Sequence, residues 1–446
     1  MAGSVFDSAL LARLFPTGDA GRLFGDSAQI RAMLLVEGAL AKAQGGLGVI
    51  PETSAQAIAR AAMEVQIDPG QLAPATGDNG VCIPALVAAF RAAMQAPEHA
   101  QYIHWGATSQ DIIDTGLMLR LRQALTLAET GTRAVLTPLA ALARTHAETP
   151  MAARTWGQEA TPTSFGAVAA GWGAPLLALL HELPALRQSC LLVSLSGAAG
   201  TASALGPKAA ETRAALAEGL GLGDPGRSWH TDRTPVLRIA DWLGRITLAL
   251  GKLGEDVAAL RQSGIAQLAP AGGASSTMPQ KQNPVDAAAL VALARTGAGL
   301  SATLQGAAMQ RQQRDGAAWF TEWMCLPQIV LGAAAALDIA ARLCSGLQPD
   351  PARMAAPLQA GTGLIHAEAL SFALAATMPR AQAQAAVKAL CGEAQDSGTP
   401  LARLAARDWP DLDLTAIFDP AAQMGQAPAD ARAFAAGVAA LPAPRT

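Results

Sequence analysis

Between Pro235 and Pro270, apolar side chains recur at Val236, Ile239, Leu243, Ile246, Leu250, Leu253, Val257 and Leu260, in alternating steps of three and four. That spacing lines one face of a helix and predicts about seven turns of bundle-type seam. Helical periodicity recurs along most of the chain. Residues 26–47 read as a helix capped by Asp26 or Ser27 and ended by Gly45-Gly46. Shorter helices are expected over 55–65 and 83–95, with a polar, glycine-containing loop over 69–80 between them. A further helix should begin after Thr108-Ser109 and stop near Leu136, before Pro138. The apolar stretch after Phe165 predicts a helix kinked at Pro175. Residues 285–326 contain no proline and predict a second long helix, with a break near Gln312–Gly316, and 328–347 predict another. Past Pro349 the prolines and glycines crowd together and the helices shorten. No alternating pattern of consequence marks a strand.

The expected class is therefore all-α, in three parts: an N-terminal helical region (1–110), a central bundle of long helices (111–348) and a small C-terminal helical region (349–446). Helices of this length cannot bury their faces inside one small subunit, so self-association by helix packing is expected.

Composition narrows the chemistry. The chain is 51% hydrophobic but only 4% aromatic, so its cores rest on Ala, Leu and Val, which suits helix. A net charge of -3 provides no global basic field for nucleic acid. The five cysteines are scattered without a CxxC pair and the six histidines are isolated, which argues against a disulfide framework or a metal site. No cofactor is called for. No basic leader with an apolar run and no stretch of about 18 uninterrupted apolar residues is present, so a soluble cytoplasmic protein without membrane contact is expected.

Three stretches carry candidate chemistry. The first is the polar loop Gly272-Gly273-Ala274-Ser275-Ser276-Thr277-Met278-Pro279-Gln280-Lys281-Gln282-Asn283-Pro284, set between two long helical patterns. It is either a flexible connector or a functional lid. A serine there becomes a useful base only if backbone N–H groups and a nearby ammonium such as Lys281 stabilise its oxyanion away from water, a catalytic role for that lysine. The second is His104-Trp105-Gly106-Ala107-Thr108-Ser109-Gln110-Asp111, where two hydroxyls meet the start of a helix. That is an ordinary cap or a carboxylate site, since free N–H groups and the positive dipole end point the same way. The third is Trp229-His230-Thr231-Asp232-Arg233; Arg233 is either a bidentate carboxylate partner or a surface cation.

The string Ser275-Ser276-Thr277-Met278-Pro279-x-Lys281-x-Asn283-Pro284 resembles the signature loop of the fumarase/aspartase superfamily, and the resemblance extends over nearly the whole chain. It implies an all-helical three-part fold whose long central helices form a homotetramer, with each site assembled from three subunits. It also implies that Ser275 exchanges a proton with the carbon beside a substrate carboxylate, while Lys281 and Asn283 help bind carboxylates. Thr108 and Ser109 would form a substrate wall, with His104 and Gln110 close by, and Asn79, Gln158, Ser276 and Arg314 join the expected substrate-binding set.

Trp156 separates the branches of this superfamily. Adenylosuccinate lyases carry a Thr-His-x-Gln string whose histidine protonates a departing amine. Here the string is Thr155-Trp156-Gly157-Gln158, similar to that of a branch that closes a carboxylate onto a double bond to form a lactone. A departing carboxylate has a conjugate acid with a pKa of about 4 and needs no acid. Trp156 is therefore expected to contact a tricarboxylate substrate through its indole. With three carboxylates to bind, Lys281 and Arg233 are the leading cations, with Arg311 or Arg314 in addition. The family's usual His-Glu-Arg string is replaced by Gln312-Gln313-Arg314. Competing expectations are a fumarate-releasing lyase and a catalytically silent scaffold.

Overall fold

The structure, a computed structural model, describes residues 3–269, 278 and 281–443. Long helices dominate it: Ser109–Thr145, Phe165–Cys190, Thr234–Leu260, Val285–Gly306 and Gly316–Ser345. Every apolar position of the seam, from Val236 to Leu260, is buried on the Thr234–Leu260 helix. The opposite face carries Leu248, half exposed.

The chain folds as two compact units, neither of them a single stretch of sequence. One comprises residues 1–131, 179–248 and 292–339. Its core gathers Met33, Leu34, Leu40, Ile58, Ile83, Phe90 and Ile103 with Ile112, Val193, Leu205 and Trp319. The other comprises residues 132–178, 249–291 and 340–446. In it, Leu370, Leu374, Val387, Leu390, Leu401 and Leu404 form the core of the short C-terminal helices.

Four local expectations are corrected. Residues 69–80 are not a loop but the helix Pro69–Asn79, capped by Asp68, whose side chain accepts from Gly70 N–H; proline at the first helical position lacks only a donor that would be unpaired anyway. The Ser109 helix continues through Pro138 to Thr145. The break expected after Val285 begins at Gly306, and Gly316–Ser345 is then one helix through Pro327. Finally, the chain does contain strands: β1 (Pro150–Thr155) pairs antiparallel with β2 (Gln158–Ser164) in a hairpin, with Met151 opposite Thr163 and Thr155 opposite Gln158.

Three helices (Phe165–Cys190, Val285–Gly306 and Gly316–Ser345) are long and apolar enough, by length and composition, to cross a membrane. The first and third are at least half buried within the protein over their most apolar window, whereas only 33% of that window is buried in Val285–Gly306.

Candidate active site

The turn from His104 to Thr108 leads into the Ser109–Thr145 helix and is held from below by Asp111, which is fully buried. Asp111 accepts from the backbone N–H groups of Thr108 (3.0 Å), Ser196 (2.9 Å) and Gly197 (2.9 Å), and lies 2.8 Å from His230 Nε2. One carboxylate thus ties the helix start to the Ser196-Gly197 turn. Thr108 and Ser109 remain half buried at the helix mouth, and no hydrogen bond engages their hydroxyls among the described residues. Free hydroxyls at a helix N-terminus suit an anion.

Beneath this surface lies an ion cluster. Arg233 donates to Asp114 (2.7 and 3.0 Å) and to Glu322 (2.7 and 2.9 Å), and stacks 4.9 Å from the ring centroid of Trp229. Burial works against the Arg233 charge, but the Asp114 and Glu322 carboxylates outweigh it and hold the guanidinium protonated. Burial likewise pushes the Glu322 carboxyl up, which Arg233 partly offsets and Asp114 reinforces. The expectation that Arg233 meets a substrate carboxylate is therefore corrected: its side chain is 1% exposed and its donors are committed to two acids of the chain itself.

Gln110 is also buried rather than lining a pocket. Its Nε2 donates to the His230 carbonyl (2.9 Å) and to Asp114 (3.2 Å), which forces Oε1 to the other side, where Arg314 Nε donates to it at 2.7 Å. Arg314 Nη2 is buried without a partner among the described residues. Arg314 is thus held by the Gln110 amide oxygen, one residue after Ser109, while Arg311 pairs with Asp315 at 2.7 Å.

His104 adopts a left-handed backbone (φ 66°), and its Nδ1 sits 2.7 Å from Glu37 Oε1. Asn79 is exposed at the end of its helix and donates from Nδ2 to the Ala75 carbonyl.

In the second unit, Trp156 and Gly157 form the two-residue turn of the β1–β2 hairpin, both with positive φ (55° and 75°). Such a turn matches strand twist and favours Asn-Gly or Gly-Gly. A tryptophan there is strained, and its side chain is fully exposed. Gln158 is exposed beside it. Close to this turn Arg154, paired in register with Glu159, donates to Gln267 (2.9 Å), just before the polar loop. Ser275 and Ser276 lie outside the described residues. Lys281 is exposed, Asn283 half buried, and the Asn283 carbonyl accepts from Val285 N–H (2.9 Å). Among the described residues no group of His, Cys, Asp and Glu is arranged to hold a metal.

Long helices, a hydroxyl pair at a helix mouth and the Ser-Ser-Thr-Met-Pro loop together define a lyase of the fumarase/aspartase type. A lyase family model matches residues 20–298, and the chain belongs to that family. It is 40% identical to a 3-carboxy-cis,cis-muconate cycloisomerase of Pseudomonas aeruginosa over 91% of each chain. It superposes on the crystal structure of the 3-carboxy-cis,cis-muconate lactonizing enzyme of Pseudomonas putida with a TM-score of 0.89 and 34% identity, covering 97% of this chain and 99% of that one. A nitrosuccinate lyase of Streptomyces davaonensis is 35% identical over 95% of this chain and 94% of its own.

Proposed function

We propose that the protein is a cycloisomerase interconverting 3-carboxy-cis,cis-muconate and 4-carboxymuconolactone, a step in the breakdown of aromatic compounds. The observation that carries this reading is Trp156, an indole at the tip of a strained turn where amine-releasing relatives keep a histidine acid. Lactone opening expels a carboxylate, which leaves without a proton donor.

In the lactone-forming direction a side-chain carboxylate of the substrate attacks the alkene. Negative charge then builds on the far carboxylate and its neighbouring carbon, and the Ser275 hydroxyl delivers a proton to that carbon; in reverse the Ser275 oxyanion removes it. Thr108, Ser109, Lys281 and Asn283 supply donors to the developing charge. Gln158, Ser276 and Asn79 complete the wall, and Trp156 packs on the ring or donates its N–H to a carboxylate. Arg314 takes the cationic role that Arg233, buried on its own acids, does not fill.

The assembly is a homotetramer with sites shared between subunits. Two observations support self-association as such: the apolar Val285–Gly306 helix is left largely uncovered in one chain, and Trp156 stands fully exposed.

The 35% identity to a nitrosuccinate lyase favours keeping one other reading, elimination from a succinyl compound with release of fumarate. One experiment decides. Purified protein should consume 3-carboxymuconate, followed by its ultraviolet absorbance, without releasing fumarate, and Ser275→Ala should abolish turnover while the protein stays folded. Fumarate release from a succinyl compound, with carboxymuconate untouched, would reverse the assignment.

A further inference from the structure

We infer that Glu37 is a positioning residue that holds His104 as an imidazolium, so that the His104 ring presents a charged N–H to a substrate carboxylate. The helix Asp26–Gly46 carries two polar side chains seven residues apart, Glu37 and Gln44, both buried in a largely apolar helix. Both point at the same turn. Gln44 Nε2 donates to the Trp105 carbonyl (2.7 Å), and Glu37 Oε1 meets His104 Nδ1 (2.7 Å). The backbone at His104 is left-handed, with φ of 66°, a region few non-glycine residues adopt and histidine more readily than most. A buried carboxylate, a buried amide and a left-handed backbone thus fix one imidazole in one orientation.

That orientation has a chemical consequence. With Nδ1 engaged by Glu37, the remaining ring nitrogen Nε2 is the free edge, and the side chain stays 18% exposed while Glu37 is 1% exposed. The carboxylate is therefore shielded from water, and its Oε2 has no hydrogen-bond partner among the described residues, which leaves the His104 ring as its one polar contact there. An adjacent carboxylate favours the protonated ring. The other charges acting on it are Asp111, from the Ser109–Thr145 helix, which adds to the effect, and Arg91, from the Ile83–Met94 helix, which opposes it. Burial pulls the His104 titration down, yet the Glu37 bond and charge prevail and hold it raised.

The substrate side of the argument rests on the tricarboxylate reading above. Three carboxylates need several positive partners, and Arg233 is unavailable. His104 lies four residues before Thr108 in the same turn, so an imidazolium there adds a cation to the hydroxyls and N–H groups of the helix mouth. A charged His104 strengthens binding at low pH, and that gain is lost as pH rises through its raised pKa. Such a group acts on KM more than on kcat, because the charge it meets exists in the bound substrate and in the transition state alike.

The test joins a titration to kinetics. The His104 imidazole signal, assigned by its disappearance in His104→Gln, should titrate above about 6.5, the ordinary histidine value. In Glu37→Gln, which keeps shape but removes charge, the midpoint should fall by about one pH unit or more. KM for carboxymuconate should rise with pH through the same midpoint in the wild-type enzyme. That rise should begin correspondingly lower in Glu37→Gln and be absent in His104→Gln, where KM stays at the wild-type high-pH level. An unchanged His104 midpoint in Glu37→Gln overturns the pairing, and a KM profile that ignores the midpoint overturns the contact with substrate. If wild type turns over no carboxymuconate, the same profile is read from binding of propane-1,2,3-tricarboxylate. A pH-dependent, Glu37-dependent affinity there supports the imidazolium while the cycloisomerase reading fails; pH-independent or absent binding overturns it.

Discussion

Arg233 and Asp114 face each other through two hydrogen bonds of 2.7 and 3.0 Å, both side chains buried, with Glu322 closing the other side of the guanidinium. This cluster joins the helices Ser109–Thr145 and Gly316–Ser345 to the start of Thr234–Leu260. Removing one partner of a buried ion pair strands the other charge, at a cost of about 3–5 kcal/mol. Arg233→Leu should therefore lower the urea unfolding midpoint sharply or prevent soluble expression. A variant that unfolds like wild type but shows only a raised KM would return Arg233 to the substrate.

Arg314 behaves in the opposite way. Its guanidinium is aimed by one neutral acceptor, Gln110 Oε1, and the rest of it is not matched by an acid among the described residues. Arg314→Met should leave thermal stability within about 1 kcal/mol. It should also raise KM about tenfold or more, the loss expected for a charge-assisted hydrogen bond. Gln110→Met should raise KM in the same direction, because the aim is lost although the cation remains. Steady-state kinetics beside thermal unfolding separates the two effects.

Trp156 is expected to trade stability for function. A non-glycine residue in the left-handed region costs about 1–2 kcal/mol, and Asn tolerates that conformation better than Trp. Trp156→Asn should therefore leave stability unchanged or raise it by about 1 kcal/mol. The same change should lower kcat/KM by at least about tenfold. If it lowers the unfolding temperature and leaves turnover intact, the indole serves packing and not the reaction.

Trp156 and Arg233 differ in how much of their setting neighbouring residues reveal. The Thr-Trp-x-Gln string is local, so the residue types themselves mark the position; what was not legible was the hairpin, because β1 and β2 lack clean alternation and only the Trp-Gly pair hints at the turn. The helix at Pro69 left a readable signal, an Asp cap followed by proline at the first position. Arg233 left none. Its partners lie 119 and 89 residues away, and nothing in Trp-His-Thr-Asp-Arg tells whether the guanidinium faces solvent, substrate or a buried acid. Glu37 is hidden in the same way, since one acid on a helix reads like any other until its burial and its contact with His104 are known.

By itself the sequence determined the helical class, the seam from Val236 to Leu260 and the motifs that mark the family, because periodicity and signature strings are properties of neighbouring residues. Tertiary structure alone decided which charges are committed to acids of the chain itself. Arg233 and Arg314 are both arginines near polar motifs; one is enclosed by two carboxylates and the other by a single amide oxygen. That difference arises from distant helices meeting in space, where burial makes every unpaired charge costly and so dictates its partner.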